Sequence, residues 1–141
     1  MRKIKLTAGK RYEFATHINE MLLPREQAEV MEAFYVIIEP GKYTHWHVHE
    51  DTEQLYYVIS GRGRAVFSRG TASKAEMALE VQDVVHVPRG TGHQIFCQGD
   101  ESLTYLCVDG FPLGRSKDEP TWDDHYRAVI KTQRGSAKQG T

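Results

Sequence analysis

The chain has 141 residues, of which 40% are hydrophobic, and 18 basic and 19 acidic residues give it a formal net charge of −1 at pH 7. This length and apolar content predict one compact domain with a single core. The balanced charge argues against nucleic acid or an anionic membrane surface as a partner.

Two further features bear on the compartment. No apolar run approaches the roughly 20 residues that span a bilayer, and the first residues lack the apolar stretch of a secretory signal. The two cysteines, Cys97 and Cys107, cannot form a disulfide framework and are expected to be small buried residues. We therefore expect a reduced, cytoplasmic protein that does not bind a membrane.

Short strand patterns account for most of the chain. Residues 11–23 give a mixed pattern, and Ser60-Gly61-Arg62-Gly63 has the composition of a hairpin turn. No long amphipathic helix separates the strands, so their spacing predicts an all-β barrel or sandwich. The predicted strands cover residues 4–6, 33–38, 55–59, 64–67, 75–81, 84–87, 94–97 and 103–108, together with the histidine-rich segment after Gly41.

The composition changes after Phe111, where a helix start is predicted. Thr121 stands at the N-cap position and Asp124 three residues later, which is the spacing of a capping box. The helix is expected to continue to about residue 130. The single domain should then cover residues 1–132, and residues 133–141 should form a flexible tail.

Two histidine-bearing segments predict a metal site. His45, His47 and His49 alternate with Trp46 and Val48, so an extended backbone would place the three imidazoles on one face. Imidazole is a common ligand of divalent transition metals. A later turn, rich in proline and glycine, presents His93 as a further ligand.

These two segments resemble the two sequence motifs of the cupin superfamily. The chain departs from the motifs where Gln54 replaces a glutamate, where Gln82 replaces a glycine, and where Cys97 replaces an asparagine. The matching residues are Gly41, His47, His49 and Gly61 in the first motif, and Asp83, Pro88, Gly90 and His93 in the second.

The resemblance implies a jelly-roll-like cupin β-barrel of two antiparallel sheets with a short C-terminal helix, and a metal-binding core at about residues 33–112. It also implies one divalent ion (Fe, Mn, Ni or Zn) and homodimerisation through an N-terminal strand. The implied metal ligands are His47, His49, Gln54 and His93.

The alternation of side chains along a strand leaves open whether Glu53 or Gln54 is the fourth ligand. Glu53 and Gln54 are adjacent, so only one of them can face the metal without a bulge. The spacing back from Gly61 favours Gln54. His45 is expected at the barrel mouth, the orientation of His86 is left open, and His17 and His125 are expected in solvent.

Catalytic candidates come from a weaker resemblance to cupins that linearise unsaturated uronates. It implies an acid–base role for Asp109, a carboxylate clamp at Arg115 and a supporting role for Phe111. Tyr56 and Arg64 are further candidates because they lie on predicted barrel strands. The alternative is that the residues after the last strand only cap the barrel.

The expected function is that of a metal-dependent enzyme acting on a small, oxygen-rich, anionic metabolite. Lewis-acid chemistry at a carbonyl or enolate, as in an isomerase, tautomerase or lyase, is favoured over an Fe(II) dioxygenase of the cupin type. A non-catalytic cupin that binds a small molecule is the alternative from another class. Such a protein would not bind DNA, because the chain has no helix-turn-helix pattern and no basic face.

Overall fold

The computed structural model describes residues 1–7 and 9–139. Within this part of the chain, nine strands are followed by one α-helix. A short 3₁₀ helix, Arg25–Gln27, precedes the third strand. The strands are β1 (Arg11–Glu13), β2 (Ile18–Leu23), β3 (Met31–Ile38), β4 (Glu53–Ser60), β5 (Arg62–Arg69), β6 (Ala75–Leu79), β7 (Val84–Val87), β8 (Thr91–Gln98) and β9 (Leu103–Gly110), and the helix is α1 (Trp122–Gln139).

The strands form two antiparallel sheets that face each other. The larger sheet has the order β1-β2-β3-β9-β4-β7, and the smaller has the order β6-β5-β8. Neighbours in the larger sheet are far apart in sequence, as β3 pairs with β9 and β9 with β4. The predicted fold class, an all-β barrel of two antiparallel sheets with a C-terminal helix, is confirmed.

Alternation along each strand builds the barrel interior. In β3, Phe34, Val36 and Ile38 are buried, whereas Tyr35 and Ile37 between them are only half-buried on the outer face. Side chains of successive strand residues point to opposite faces, so one face of β3 enters the core. Burying one such aliphatic or aromatic side chain stabilises the fold by about 1.5–3 kcal/mol.

The histidine-rich segment is not the regular strand that its alternation predicts. It pairs with β8 only through two isolated bridges, Tyr43 with Phe96 and His47 with His93. Between the bridges the Thr44 hydroxyl, rather than a backbone carbonyl, accepts the hydrogen bond from the Ile95 amide. This side-chain acceptor interrupts the ladder, and the segment stays extended but irregular.

The predicted hairpin at residues 60–63 is also wrong. β4 and β5 belong to different sheets, and the turn carries the chain from one sheet to the other. Gly61 has φ +74°, and a Cβ atom there would lie 2.3 Å from the Ser102 carbonyl oxygen. The glycine therefore allows a close backbone approach at a barrel corner.

The N-terminal region differs from its sequence pattern. Ile4 and Leu6 lie in no strand and remain exposed, whereas the mixed region at residues 11–23 holds β1 and β2. Arg11 and Glu20 stand opposite each other in this pair and form an ion pair. A strand needs a neighbouring strand to satisfy its backbone groups, and residues 4–6 have none.

The C-terminal helix begins as predicted and extends further. The Thr121 hydroxyl accepts a hydrogen bond from the Asp124 amide, and the Asp124 carboxylate accepts one from the Thr121 amide. The helix continues through Gln139, into the segment predicted as a tail, and residues 140–141 lie outside the described part. The domain limits and the homodimer stay predictions. None of the described helices is long and apolar enough to cross a membrane.

Gln82 adopts a backbone conformation that suits glycine. Its φ is +76°, it is the one non-glycine residue with positive φ among those described, and it stands where the second cupin motif opens with glycine. The left-handed region costs a side-chain-bearing residue about 1–2 kcal/mol, part of which is offset by the greater freedom of glycine in the unfolded chain.

We therefore predict that Gln82→Gly raises the free energy of unfolding by about 0.5–1 kcal/mol, measured by urea denaturation. Gln82→Ala is the matched control, because it removes the same side chain but keeps Cβ. Equal effects of the two substitutions would show that backbone strain is not the cause.

Candidate metal centre

Three of the predicted ligands meet inside the barrel. His47 and His49 come from the irregular histidine-rich segment, and His93 comes from β8. One ring nitrogen of each lies within 4.8 Å of the others. Reciprocal backbone hydrogen bonds of 3.1 and 2.9 Å between His47 and His93 hold the two segments together. The cupin-type spacing thus produces a convergent three-histidine group.

Hydrogen bonds orient two of these rings. Nδ1 of His47 is 2.7 Å from the His45 carbonyl oxygen, and Nδ1 of His93 is 2.9 Å from the Thr91 carbonyl oxygen. A carbonyl only accepts hydrogen bonds, so each Nδ1 carries the hydrogen and each Nε2 keeps a lone pair. Backbone carbonyls therefore set the tautomer that a metal ligand requires.

The choice between Glu53 and Gln54 is resolved by β4. Gln54 is buried at 5% exposure and faces the interior, whereas Glu53 lies outside and forms an ion pair with the exposed His86. Successive residues of a strand face opposite sides, so the Glu53 carboxylate cannot reach the three histidines inside the barrel. The neutral amide is the group beside the metal centre.

The Tyr56 hydroxyl lies between Gln54 and His93 and cannot donate a hydrogen bond to both. Its hydroxyl oxygen lies 2.8 Å from Gln54 Oε1 and 3.0 Å from His93 Nε2. Both atoms are acceptors, and the hydroxyl has one hydrogen. A cation bound by His93 Nε2 would satisfy the second acceptor. The donor set of three imidazoles and an amide oxygen therefore fits a divalent transition metal.

Burial keeps these imidazoles neutral. Desolvation lowers the pKa of His49 to about 3 and that of His93 to about 4, and repulsion from the neighbouring histidines lowers both further. Desolvation also lowers the pKa of His47. A neutral imidazole is the form that binds a metal, so the ligands need not lose a proton at neutral pH.

A buried row of polar side chains supports Gln54 from behind. Glu32 of β3 stands opposite Asp109 of β9, which stands opposite Gln54 of β4. Gln54 Nε2 donates a hydrogen bond of 2.8 Å to Asp109 Oδ1, and the Cys107 thiol donates to the same oxygen. This contact fixes the amide so that its oxygen points towards Tyr56.

Arg25 balances the charge of this row. Its guanidinium donates two hydrogen bonds of 2.9 Å to the Glu32 carboxylate, and both residues are almost fully buried. Desolvation raises the pKa of Glu32 and that of Asp109, and the hydrogen bond between the two side chains raises the pKa of Glu32 further and lowers that of Asp109. The bidentate contact with Arg25 opposes the shift of Glu32.

A cavity of about 200 Å³ opens in front of the metal centre. Strands of the larger sheet supply Asn19, Gln54, Tyr56 and Asp109 to its wall, and α1 supplies residues that include Trp122. The cavity is smaller than the roughly 300–1,000 Å³ typical of drug-sized ligand sites. Since one water molecule occupies about 30 Å³, the space suits a metabolite of a few carbon atoms.

Two histidines expected in solvent belong to this cavity. His17 is half-buried and stacks on Phe14 at 4.6 Å, and desolvation lowers its pKa to about 4. His125 also lines the cavity and bonds to Glu119. Neither has a partner histidine nearby in sequence, so their positions depend on how β2 and α1 pack. His45 is exposed at the cavity rim.

The remaining candidates lie away from the cavity. Arg115 is half-buried but is not among the lining residues, and its role as a carboxylate clamp stays a prediction. Arg64 stacks on Phe96 and pairs with Glu76 near the surface. Both cysteines are buried, as predicted, and Cys107, rather than Cys97, lines the cavity.

The lowered pKa values predict that acid destabilises the metal-free protein. Between the ordinary pKa of 6.5 and the folded values of about 3–4, the unfolded chain binds more protons than the folded one. Stability should therefore fall as pH drops through this window. Urea denaturation from pH 7 to pH 4 measures the loss.

A matched pair of variants tests this explanation. His49→Gln removes one half-buried imidazole of the cluster and should make the loss smaller, whereas His86→Gln removes an exposed histidine and should change it much less. A pH dependence that is the same in both variants would contradict the assignment.

Comparison with known proteins supports the fold. Residues 34–109, more than half of the chain, match the model of the cupin domain family. Oxalate decarboxylase OxdC of Bacillus subtilis is 31% identical over 98 residues, which are 70% of this chain and 22% of that protein. A glucose-6-phosphate isomerase of Thermococcus onnurineus is 28% identical over 64 residues, 45% of this chain and 34% of the relative.

A solved structure shows the same architecture. Oxalate decarboxylase of Lactobacillus farciminis, in a formate complex, superposes with a TM-score of 0.65 at 25% identity, covering 78% of this chain and 34% of that one. The chain thus spans about a third or less of the length of these relatives. The family match and the convergent histidines lead to one conclusion: the chain belongs to the cupin family.

Proposed function

We propose that this cupin is a metal-dependent enzyme that acts on a small, oxygen-rich, anionic metabolite as a lyase or isomerase. The observation that carries the proposal is the neutral donor set at the cavity floor. Three imidazoles converge there, the Tyr56 hydroxyl connects Gln54 to His93, and the Asp109 carboxyl group stands behind Gln54.

Charge decides which ligands such a site favours. Neutral donors leave the full double charge on a divalent ion, whereas a glutamate at position 54 would cancel one unit of it. Aromatic and aliphatic side chains in the cavity wall lower the local dielectric and strengthen the field of this charge. An anion that binds through a carboxylate and an adjacent oxygen is therefore the favoured ligand.

The names of the relatives support the same class of chemistry. One is named for the decarboxylation of oxalate, a small dianion, and another for the isomerisation of a sugar phosphate. A lyase and an isomerase of this kind both act on small oxygen-rich anions. When bound, a divalent ion supplies a Lewis acid that polarises a carbonyl oxygen and stabilises an enolate.

Asp109 is the proposed acid–base group of the chain. It lines the cavity and is buried, and desolvation raises its pKa. A carboxyl group with a raised pKa is suited to donate a proton and to accept it back. Glu32 stands behind Asp109, and Tyr56 and Gln54 hold the neighbouring polar atoms in place.

The metal assignment makes a direct prediction. His93→Ala should fold but retain only background metal after purification without an affinity tag, because one of three imidazoles is lost. Metal analysis measures the content, and thermal denaturation verifies the fold. Wild-type metal content in a folded His93→Ala protein would contradict the assignment.

Position 54 tests the charge argument separately. Gln54→Glu should keep or tighten metal binding and weaken the binding of an anionic ligand such as oxalate, because it adds a negative charge beside the metal. Calorimetry with oxalate and the metal-loaded protein measures the affinity. Glu53→Gln is the matched control on the outer face of the same strand, and unchanged oxalate affinity in Gln54→Glu would remove Gln54 from the metal site.

Asp109→Asn should slow turnover by about 10²–10⁴-fold and change substrate binding little. The asparagine oxygen can still accept the hydrogen bond from Gln54 but cannot exchange a proton. Small carboxylates, unsaturated uronates and 1,3-diketones should be screened with and without oxygen. Oxygen consumption with a diketone would identify the dioxygenase alternative, and absence of any turnover would favour a binding cupin.

A further inference from the structure

Two buried polar atoms near the cavity have no hydrogen-bond partner. They are Oδ1 of Asn19 and Nε1 of Trp122, and both residues line the cavity in front of the metal centre. Asn19 is 5% exposed and Trp122 is 2% exposed. In the described part of the chain the only other such atom is Nη1 of Arg115, which lies outside the cavity lining.

Packing does not require either polar atom. Asn19 lies in β2 between Tyr12 and Val36, at a position where an apolar side chain would fill the same space. The Trp122 indole packs against Tyr12 and Phe34, with ring centroids 6.0 and 4.8 Å away. A buried polar atom without a partner destabilises the folded state, and nearly all such atoms in proteins are paired. A molecule bound in the cavity can supply the missing hydrogen-bond partners.

The two atoms have opposite hydrogen-bonding roles. Oδ1 of Asn19 only accepts hydrogen bonds, and Nε1–H of Trp122 only donates them. A hydroxyl group does both, so it can serve an acceptor and a donor at once. A carboxylate offers no hydrogen to Asn19, and a methyl group satisfies neither atom.

We propose that the cavity binds a short-chain hydroxy acid, with its carboxylate end at the metal centre and a distal hydroxyl bound by Asn19 and Trp122. This inference rests on the proposed function and specifies its substrate class. The cavity of about 200 Å³ limits the chain to a few carbon atoms. Oxalate has no hydroxyl and would leave both atoms unpaired, so the preferred ligand differs from that named in the oxalate decarboxylase relatives.

Two matched series of acids test the distal group. Glycerate, lactate and tartronate all carry a carboxylate with an adjacent hydroxyl. They differ at the other end of the molecule, which is a hydroxyl group in glycerate, a methyl group in lactate and a second carboxylate in tartronate. The acids 2,4-dihydroxybutyrate, 2-hydroxybutyrate and malate repeat the comparison one carbon longer. Calorimetry on the Mn²⁺-loaded protein should show the hydroxyl member of at least one series binding about 10-fold or more tightly than both others.

Tryptophan fluorescence provides a second readout. The chain has two tryptophans, so Trp46→Phe leaves Trp122 as the only one. Emission of this variant should shift on addition of the preferred acid, because the indole N–H gains an acceptor. Lactate and tartronate at the same fractional saturation should shift it less.

Substitutions separate recognition from structure. Asn19→Leu should raise Tm, since it removes a buried unpaired atom, and should reduce the preference for the distal hydroxyl to within about 2-fold. Trp122→Phe should reduce the preference in the same way. Tyr126→Phe is the control, because it removes a hydroxyl from α1 that bonds to the Glu13 carbonyl and lies outside this cavity.

The outcomes distinguish the two proposals. If no acid binds in a metal-dependent manner, the proposed function fails together with this inference. Metal-dependent binding in which the hydroxyl acids have no advantage would overturn the inference alone. A preference that survives in a folded Asn19→Leu protein would also overturn it.

Discussion

The desolvated ion pair of Arg25 and Glu32 is the interaction on which the cavity depends. Arg25 donates to both oxygens of Glu32, donates to the Glu119 carbonyl oxygen at 3.1 Å, and lies under the rings of Phe111 and Trp122. It thereby connects the 3₁₀ helix, β3, the segment after β9 and the start of α1. Removing one partner would leave a charge buried without compensation, which typically costs 3–5 kcal/mol.

This ion pair also connects stability with the chemistry of the site. Glu32 holds Asp109, Asp109 accepts from Gln54, and Gln54 accepts from Tyr56, which contacts His93. The row crosses three adjacent strands at one level of the sheet. Each side chain in this row forms a hydrogen bond with the next one. The Gln54 amide is therefore held in one orientation before a ligand binds, and binding requires little reorganisation.

The helix α1 turns an open barrel into an enclosed site. Its capping box starts the helix beside the barrel mouth, and Trp122 and His125 then face the cavity. Apolar surface from the helix lowers the dielectric beside the histidines and strengthens the electrostatic interactions there. The cavity therefore has two walls of different origin: the sheet supplies the polar row, and the helix supplies Trp122, His125, Val129 and Gln133.

The sequence by itself determined the fold class, most strands, the helix cap and the histidine group. These features depend on local rules, namely alternation along β3, the spacing of Thr121 and Asp124, and the two motifs carrying His47, His49 and His93. Parity together with the spacing back from Gly61 also favoured Gln54 over Glu53, and the structure places Gln54 inside.

Only the tertiary structure decided what surrounds the histidines. Asn19, Arg25 and Glu32 carry no motif. Asn19 reaches the cavity because β2 pairs with β3, and Glu32, with its partner Arg25, reaches Asp109 because β3 pairs with β9 across more than sixty residues of chain. The same long-range pairing separated β4 from β5 and left residues 4–6 without a partner strand. Local sequence patterns indicate which face of a strand is apolar. Which strands pair with each other depends on how all the apolar faces pack together, and the cavity forms only once the strands have paired.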